Sequence, residues 1–202
     1  MQALNKKAIS RIYGRGRGWA FSSNDFVEDF SRSQIDNALS ELCIEGKIRR
    51  VCRGIYDYPK FSDLLQQDLS PDFDQVAQAF ARKFNWRIQP SGNAALNLLG
   101  LSTQVPGRLV YFSDGPNRQY DIGNYALEFK KSALKDVGFK YRESGLIVQA
   151  LKALGQERVN ESVIAALRKQ LNETACKRVL KDTVTATGWV YETIKQVCGD
   201  RG

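Results

Sequence analysis

The fold of this chain is decided by residues 31–58, which read SRSQIDNALSELCIEGKIRRVCRGIYDY. In the first half of this stretch, three apolar residues recur at the spacing of one helix face: Ile35, Leu39 and Leu42. Ser31 or Ser33 can cap the start of the helix, since a glutamine or an aspartate stands three residues later. Gly46 is placed to end it. The pattern therefore predicts a capped helix of about three turns.

The second half of the stretch predicts a β-hairpin with a strong positive charge. Two short strands, 47–52 and 55–58, flank Arg53-Gly54, and a two-residue loop with glycine is typical of a tight hairpin. Four cations fall on it before the first acid: Lys47, Arg49, Arg50 and Arg53. Polar and apolar side chains do not alternate perfectly along the first strand, because Arg50 lies on the same face as Ile48 and Cys52. A basic edge strand that resists aggregation is the alternative reading.

The residues before this stretch complete a recognisable order. Residues 5–13 have a short apolar helical stripe, 19–21 read as a strand, and 22–30 read as a short helix capped by Ser22 or Ser23. The order helix, strand, helix, turn, helix, hairpin is that of a winged helix-turn-helix. We therefore expect a DNA-binding domain over residues 1–60.

This order assigns ten candidate DNA contacts. The start of the helix would meet base edges, which arginine, glutamine and asparagine can read in the major groove. The hairpin and the glycine-rich connector GRGRG would meet phosphates. The ten residues are Arg32, Ser33, Gln34 and Asn37 on the helix, Lys47, Arg49, Arg50 and Arg53 on the hairpin, and Arg15 and Arg17 on the connector. Against this, Asp36, Glu41 and Glu45 lie on the same helix and would repel phosphates.

Composition limits the function classes. The 202 residues carry a formal net charge of +8, which favours anionic partners such as nucleic acid. The chain has no histidine, which excludes Ser-His-Asp and Cys-His triads and histidine-ligated zinc. The four cysteines show no CxxC spacing, and no apolar run approaches the roughly 18 residues that span a membrane. We expect a cytoplasmic protein without a cofactor or a metal.

The second domain is expected over residues 61–202, after a linker at 59–71 that contains two prolines. A helix is predicted at 72–85, a hairpin at 118–122 and 125–130 around Gly123-Asn124, and helices from 144 onward. The predicted fold class is thus α+β: a winged helix-turn-helix, then a mixed α/β domain with a helical C-terminal tail.

One pattern in the second domain suggests catalysis. Asp114 or Asp121, followed by Glu128-Phe129-Lys130, is similar to the D…ExK arrangement of magnesium-dependent nucleases, in which two carboxylates hold the metal and a lysine helps to activate water. The hairpin register puts Asp121, Glu128 and Lys130 on one face. Because an ExK pattern is also common on the polar face of a half-buried strand, a nuclease remains an alternative, and a protein-interaction module is another.

Several motifs together resemble the AbiE-type antitoxins (the AbiEi family). RGRGWAFSSNDF, SRSQIDNALSEL and GKIRRVCRGIYDYP resemble that family's N-terminal winged helix, and SGNAALNLLGLSTQVPGRLVYFSDG resembles the start of its second domain. The resemblance covers about residues 1–130. It implies an antitoxin that represses its own operon by binding the operator as double-stranded DNA through the winged helix, and we expect no enzymatic activity. Because winged-helix repressors often act on paired half-sites, we expect several copies to bind together. It also implies that the chain counteracts a nucleotidyltransferase-like toxin, directly or indirectly.

Overall fold

The protein is a mixed α+β chain. The computed structural model describes residues 2–104, 107–132 and 138–199, with no description of the side chains of residues 2 and 3. Val105 and Pro106, which belong to the motif SGNAALNLLGLSTQVPGRLVYFSDG quoted above, lie outside the described residues. In the part of the chain that is described, no helix is both long enough and apolar enough to cross a membrane.

Contacts between Cα atoms divide the chain into two compact units. The N-terminal unit is Met1–Trp86 with Tyr120–Gly123, and the C-terminal unit is Arg87–Gln119 with Asn124–Gly202. The first boundary therefore falls near residue 86 and not at the expected 60/61. The reason is that the helix at 73–84 bonds to the elements before it: Arg82 donates to the carbonyl of Ala20.

The N-terminal unit follows the predicted order. Its elements are α1 (Gln2–Arg15), β1 (Ala20–Phe21), a 3-10 helix (Ser23–Phe26), α2 (Arg32–Ile44), β2 (Arg49–Cys52), β3 (Ile55–Asp57), β4 (Phe61–Ser62), β5 (Gln67–Asp68) and α3 (Phe73–Phe84). Strands β1, β3 and β2 form an antiparallel sheet in that spatial order. The short helix expected over 22–30 is only the single 3-10 turn.

The core of this unit joins α1, α2 and the sheet. Its largest fully buried side chains include Ile12, Phe21, Phe26, Ile35 and Leu39. Each fully buried side chain of this size contributes roughly 1.5–3 kcal/mol of hydrophobic free energy. The buried face of α2 carries Ile35, Leu39 and Leu42, as predicted, so the opposite face of the helix is exposed to solvent.

Two local features explain how the hairpin is shaped. Gly54 has φ +75°, which the turn between β2 and β3 requires and which glycine adopts without strain. The pairing register shifts between Arg50 and Cys52, so β2 contains a bulge. A bulge changes the direction in which the neighbouring side chains point. This accounts for the departure from strict polar–apolar alternation around Arg50.

The segment 59–71, expected to be a linker, is structured. Strands β4 and β5 pair as Phe61↔Asp68 and Ser62↔Gln67, and the amide of Leu69 donates to the carbonyl of Lys60. The two prolines at its ends do not prevent pairing, because they lie outside the paired residues. The tip of this hairpin carries Leu64, which is 91% exposed.

The C-terminal unit contributes most of a second sheet and a helical tail. The remaining elements of the chain are β6 (Ile88–Pro90), α4 (Gly92–Leu98), β7 (Arg108–Ser113), β8 (Arg118–Ile122), β9 (Tyr125–Lys131), α5 (Arg142–Leu154), a 3-10 turn (Gln156–Arg158), α6 (Glu161–Gln170), α7 (Glu173–Asp182) and α8 (Gly188–Gly199). Of these, only β8 is divided, since its residues from Tyr120 onward belong to the N-terminal unit. The strand order is β6-β7-β9-β8, with β7 parallel to β9. The predicted hairpin of β8 and β9 and the helical tail are confirmed.

Candidate nucleic-acid interface

The start of α2 presents the predicted base-reading residues to solvent. Arg32, Ser33, Gln34 and Asn37 are all exposed. The side-chain carbonyl of Gln34 accepts from the backbone amide of Ser31 at 3.1 Å and from its hydroxyl at 2.9 Å. These two bonds close the first turn of the helix, so Gln34 also has a structural role.

Arg32 is held at the same end of α2 but remains accessible. Its guanidinium donates to the side-chain oxygen of Asn24 at 3.1 Å, and its Nε lies 3.5 Å from a carboxylate oxygen of Asp36. The Arg32 side chain is 63% exposed. A pair this exposed contributes little to stability, so the guanidinium is available to another anion.

Two of the four hairpin cations are engaged within the protein. Arg49 donates to both carboxylate oxygens of Asp57, at 3.0 and 2.6 Å, and to the carbonyl of Leu69. Lys47 pairs with Glu45 at 2.6 Å, which raises the pKa of the Lys47 ammonium. Burial raises the pKa of the Asp57 carboxyl, and the bonds from Arg49 oppose that rise.

The other two hairpin cations face solvent. Arg50 and Arg53 are exposed, and the Arg50 guanidinium lies 5.6 Å from the centre of the Tyr56 ring. Within residues 2–104, 107–132 and 138–199, neither arginine forms an ion pair with a carboxylate. Their charges are therefore the part of the hairpin that an external anion would meet.

A groove in the N-terminal unit brings the accessible cations together. It has a volume of about 370 Å³ and lies between α2, the β2–β3 hairpin and the last turn of α3. Its charged lining residues among those described are Arg32, Arg50, Arg53, Lys83 and Asp36. We call this the basic groove, since four cations face a single carboxylate.

Lys83 was not among the sequence candidates. It lies on α3, which the sequence had assigned to the second domain. Burial lowers the pKa of Lys83, and the charges of Arg32 and Arg53 lower it further, while Cys52 acts in the opposite direction. The only sequence signal was a lysine in the last turn of a strongly amphipathic helix.

The connector arginines lie elsewhere. The guanidinium of Arg15 lies 5.6 Å from the ring of Trp19, and that of Arg17 lies 4.7 Å from the ring of Tyr58 and donates to the carbonyl of Pro59. Neither lines the basic groove. Their contacts join the end of α1 and the residues after it to residues that flank β1 and β3.

Two carboxylates of the nuclease pattern, Asp114 and Glu128, are engaged with arginines. Asp114 accepts from the backbone amide of Arg87 at 2.8 Å and pairs with its guanidinium at 3.4 Å. Glu128 lies 3.5 Å from Arg108 and 3.9 Å from Lys130. Over the residues that the structure describes, no group of three or more His, Cys, Asp or Glu side chains could hold a metal ion.

Comparison with known proteins identifies a family. Residues 7–179 match the family of unknown function DUF6088. The chain belongs to that family. The matched range includes the whole of the basic groove and extends into α7, so the family definition covers both units.

The other comparisons are distant. The crystal structure of the RV2827C protein from Mycobacterium tuberculosis is similar with a TM-score of 0.41 and 13% sequence identity, over 97% of this chain and 76% of that chain. The comparison with curated proteins found no match.

Proposed function

We propose that this DUF6088 protein is a DNA-binding transcriptional regulator whose N-terminal unit is a winged helix-turn-helix. In this proposal α2 enters the major groove and the β2–β3 hairpin is the wing. The observation that carries it is the basic groove, where Arg32, Arg50 and Arg53 lie beside the exposed start of α2. Cations on a wing next to an exposed helix fit a duplex, whose phosphates flank the groove that the helix enters.

In this proposal the exposed residues of α2 would contact bases, and the hairpin arginines would contact phosphates. Ser33 and Asn37, exposed on α2, would contact base edges, and asparagine suits adenine. Arg50 and Arg53 would neutralise phosphates, which supplies affinity without sequence preference. We assign Arg49 to the fold and not to DNA, because a buried carboxylate already holds its guanidinium.

The biological role that we propose is that of an antitoxin. The resemblance to the AbiEi family supports it: the chain would repress its own operon and counteract a nucleotidyltransferase-like toxin without being an enzyme itself. Binding of several copies to paired half-sites would fit an operator with repeated sequences.

The first prediction concerns the wing. The variant Arg50→Gln/Arg53→Gln removes two accessible cations and is expected to weaken operator binding at least tenfold. The slope of log K against log salt should become shallower by about 0.9 for each lost phosphate contact. The measurement is a fluorescence-anisotropy titration of upstream operon DNA at several salt concentrations.

The matched control is Lys152→Gln/Lys169→Gln, which removes the same charge from exposed sites on α5 and α6. It should bind like the wild type. Equal affinity and equal salt slope for the wing variant and the wild type would refute this role for the hairpin. Magnesium-dependent plasmid cleavage that Glu128→Gln abolishes would instead establish the nuclease.

A further inference from the structure

Lys83 is positioned by contacts at the carboxyl end of α3. Its carbonyl accepts from the side-chain amide of Asn24 at 2.8 Å. The preceding residue, Arg82, pairs with Asp25 at 2.5 Å and donates to the carbonyl of Ala20 at 2.7 Å. These three contacts hold the end of α3 against β1 and the 3-10 helix, so the position of Lys83 is set by the N-terminal unit.

The side chain of Lys83 reaches the turn of the β2–β3 hairpin. Its ammonium lies 3.4 Å from the carbonyl oxygen of Gly54. A Cβ atom at Gly54 would lie 2.5 Å from that ammonium nitrogen. Gly54 thus serves two purposes: it adopts the positive φ of the turn and leaves the space through which Lys83 enters the basic groove.

The Lys83 charge is not neutralised by a carboxylate. In the described part of the chain it forms no ion pair, and the cations Arg32, Arg50 and Arg53 line the same groove. Burial lowers the pKa of Lys83, as do the charges of Arg32 and Arg53, whereas Cys52 and Asp36 raise it. An anion in the groove would relieve the repulsion among the four cations, and a phosphate diester is the anion that a duplex brings there.

We propose that Lys83 contacts a backbone phosphate of bound DNA beside Arg53, so that the DNA-binding surface includes α3 as well as α2 and the hairpin. This inference rests on the proposed DNA binding. It assigns a DNA contact to a helix that lies outside the 60 residues expected to bind DNA.

The test uses the full chain with Lys83→Gln, which removes the charge, and Lys83→Arg, which keeps it. Lys177→Gln is the control, because Lys177 is 76% exposed on α7. Binding is measured to the operator and to an unrelated duplex at several salt concentrations. We expect Lys83→Gln to bind both duplexes about three- to tenfold more weakly, with a salt slope shallower by about 0.9.

Sequence preference should stay the same in Lys83→Gln, since a phosphate contact does not read bases. Lys83→Arg should bind nearly like the wild type. If Lys83→Gln lowers the melting temperature, Lys83→Met, which keeps an unbranched apolar stem, repeats the measurement.

The outcomes separate the two proposals. A wild-type chain that binds no duplex overturns the proposed function itself. If the wild type binds and folded Lys83→Gln or Lys83→Met has the same affinity and salt slope, DNA binding stands and the role of Lys83 is overturned.

Discussion

At the residue scale, Arg49 shows how a cation beside a proposed DNA surface can serve the fold instead. Asp57 is 1% exposed, and its carboxylate receives two bonds from the Arg49 guanidinium. A third Arg49 bond, to the carbonyl of Leu69, ties the β4–β5 hairpin to β2. Removing the cation from a buried carboxylate lowers the free energy of unfolding far more than breaking an exposed ion pair does.

The resulting prediction is that Arg49→Ala is destabilising. We expect a loss of about 2–3 kcal/mol in the free energy of unfolding, because Asp57 is left buried without its hydrogen-bond donors. Urea denaturation measures this loss, and Lys47→Ala, which removes only an exposed pair, should leave the free energy of unfolding nearly unchanged. Adding Asp57→Asn to Arg49→Ala should recover part of the loss. Equal, small losses for Arg49→Ala and Lys47→Ala would contradict this assignment.

At the element scale, the first turn of α2 combines a cap with a proposed reading surface. The Gln34 side-chain oxygen is occupied by Ser31, whereas reading adenine requires both ends of an amide. Asn37 lies one turn further along the exposed face and takes no part in capping the helix. Base recognition should therefore depend on Asn37 more than on Gln34.

We accordingly predict that one alanine variant loses stability and that the other loses base preference. Gln34→Ala should lower the free energy of unfolding by about 0.5–1 kcal/mol through loss of the cap, with little change in base preference. Asn37→Ala should fold like the wild type but lose preference at one operator position, by about 1–3 kcal/mol. Thermal unfolding and a panel of single-base operator variants measure the two effects. Loss of preference in Gln34→Ala alone would reverse the assignment.

The elements that the sequence predicted correctly carry local signals. Ser31, Gly46 and the Arg53-Gly54 turn each act within a few residues, so a capped helix and a tight hairpin could be inferred without tertiary information. Contacts distant in sequence gave no such signal. The bond from Arg49 to Leu69 and the approach of Lys83 to Gly54 depend on packing, and the sequence consequently missed the β4–β5 hairpin and one side of the basic groove.

At the scale of the whole molecule, the chain consists of two units with separate cores. One core gathers α1, α2 and the first sheet, and the other gathers α4 to α8. The accessible cations of the basic groove all belong to the N-terminal unit.

The last prediction uses this separation. In cells that carry the operon promoter fused to a reporter, Arg50→Gln/Arg53→Gln should release repression, because the β2–β3 hairpin loses the two cations proposed to neutralise phosphates. When the same variant is supplied from an independent promoter at the wild-type level, it should still protect cells from the nucleotidyltransferase-like toxin that we propose it counteracts. Lys152→Gln/Lys169→Gln should retain repression, which separates loss of wing cations from loss of net charge. Parallel loss of repression and protection in the wing variant would mean that the toxin is counteracted through DNA, and not by the C-terminal unit.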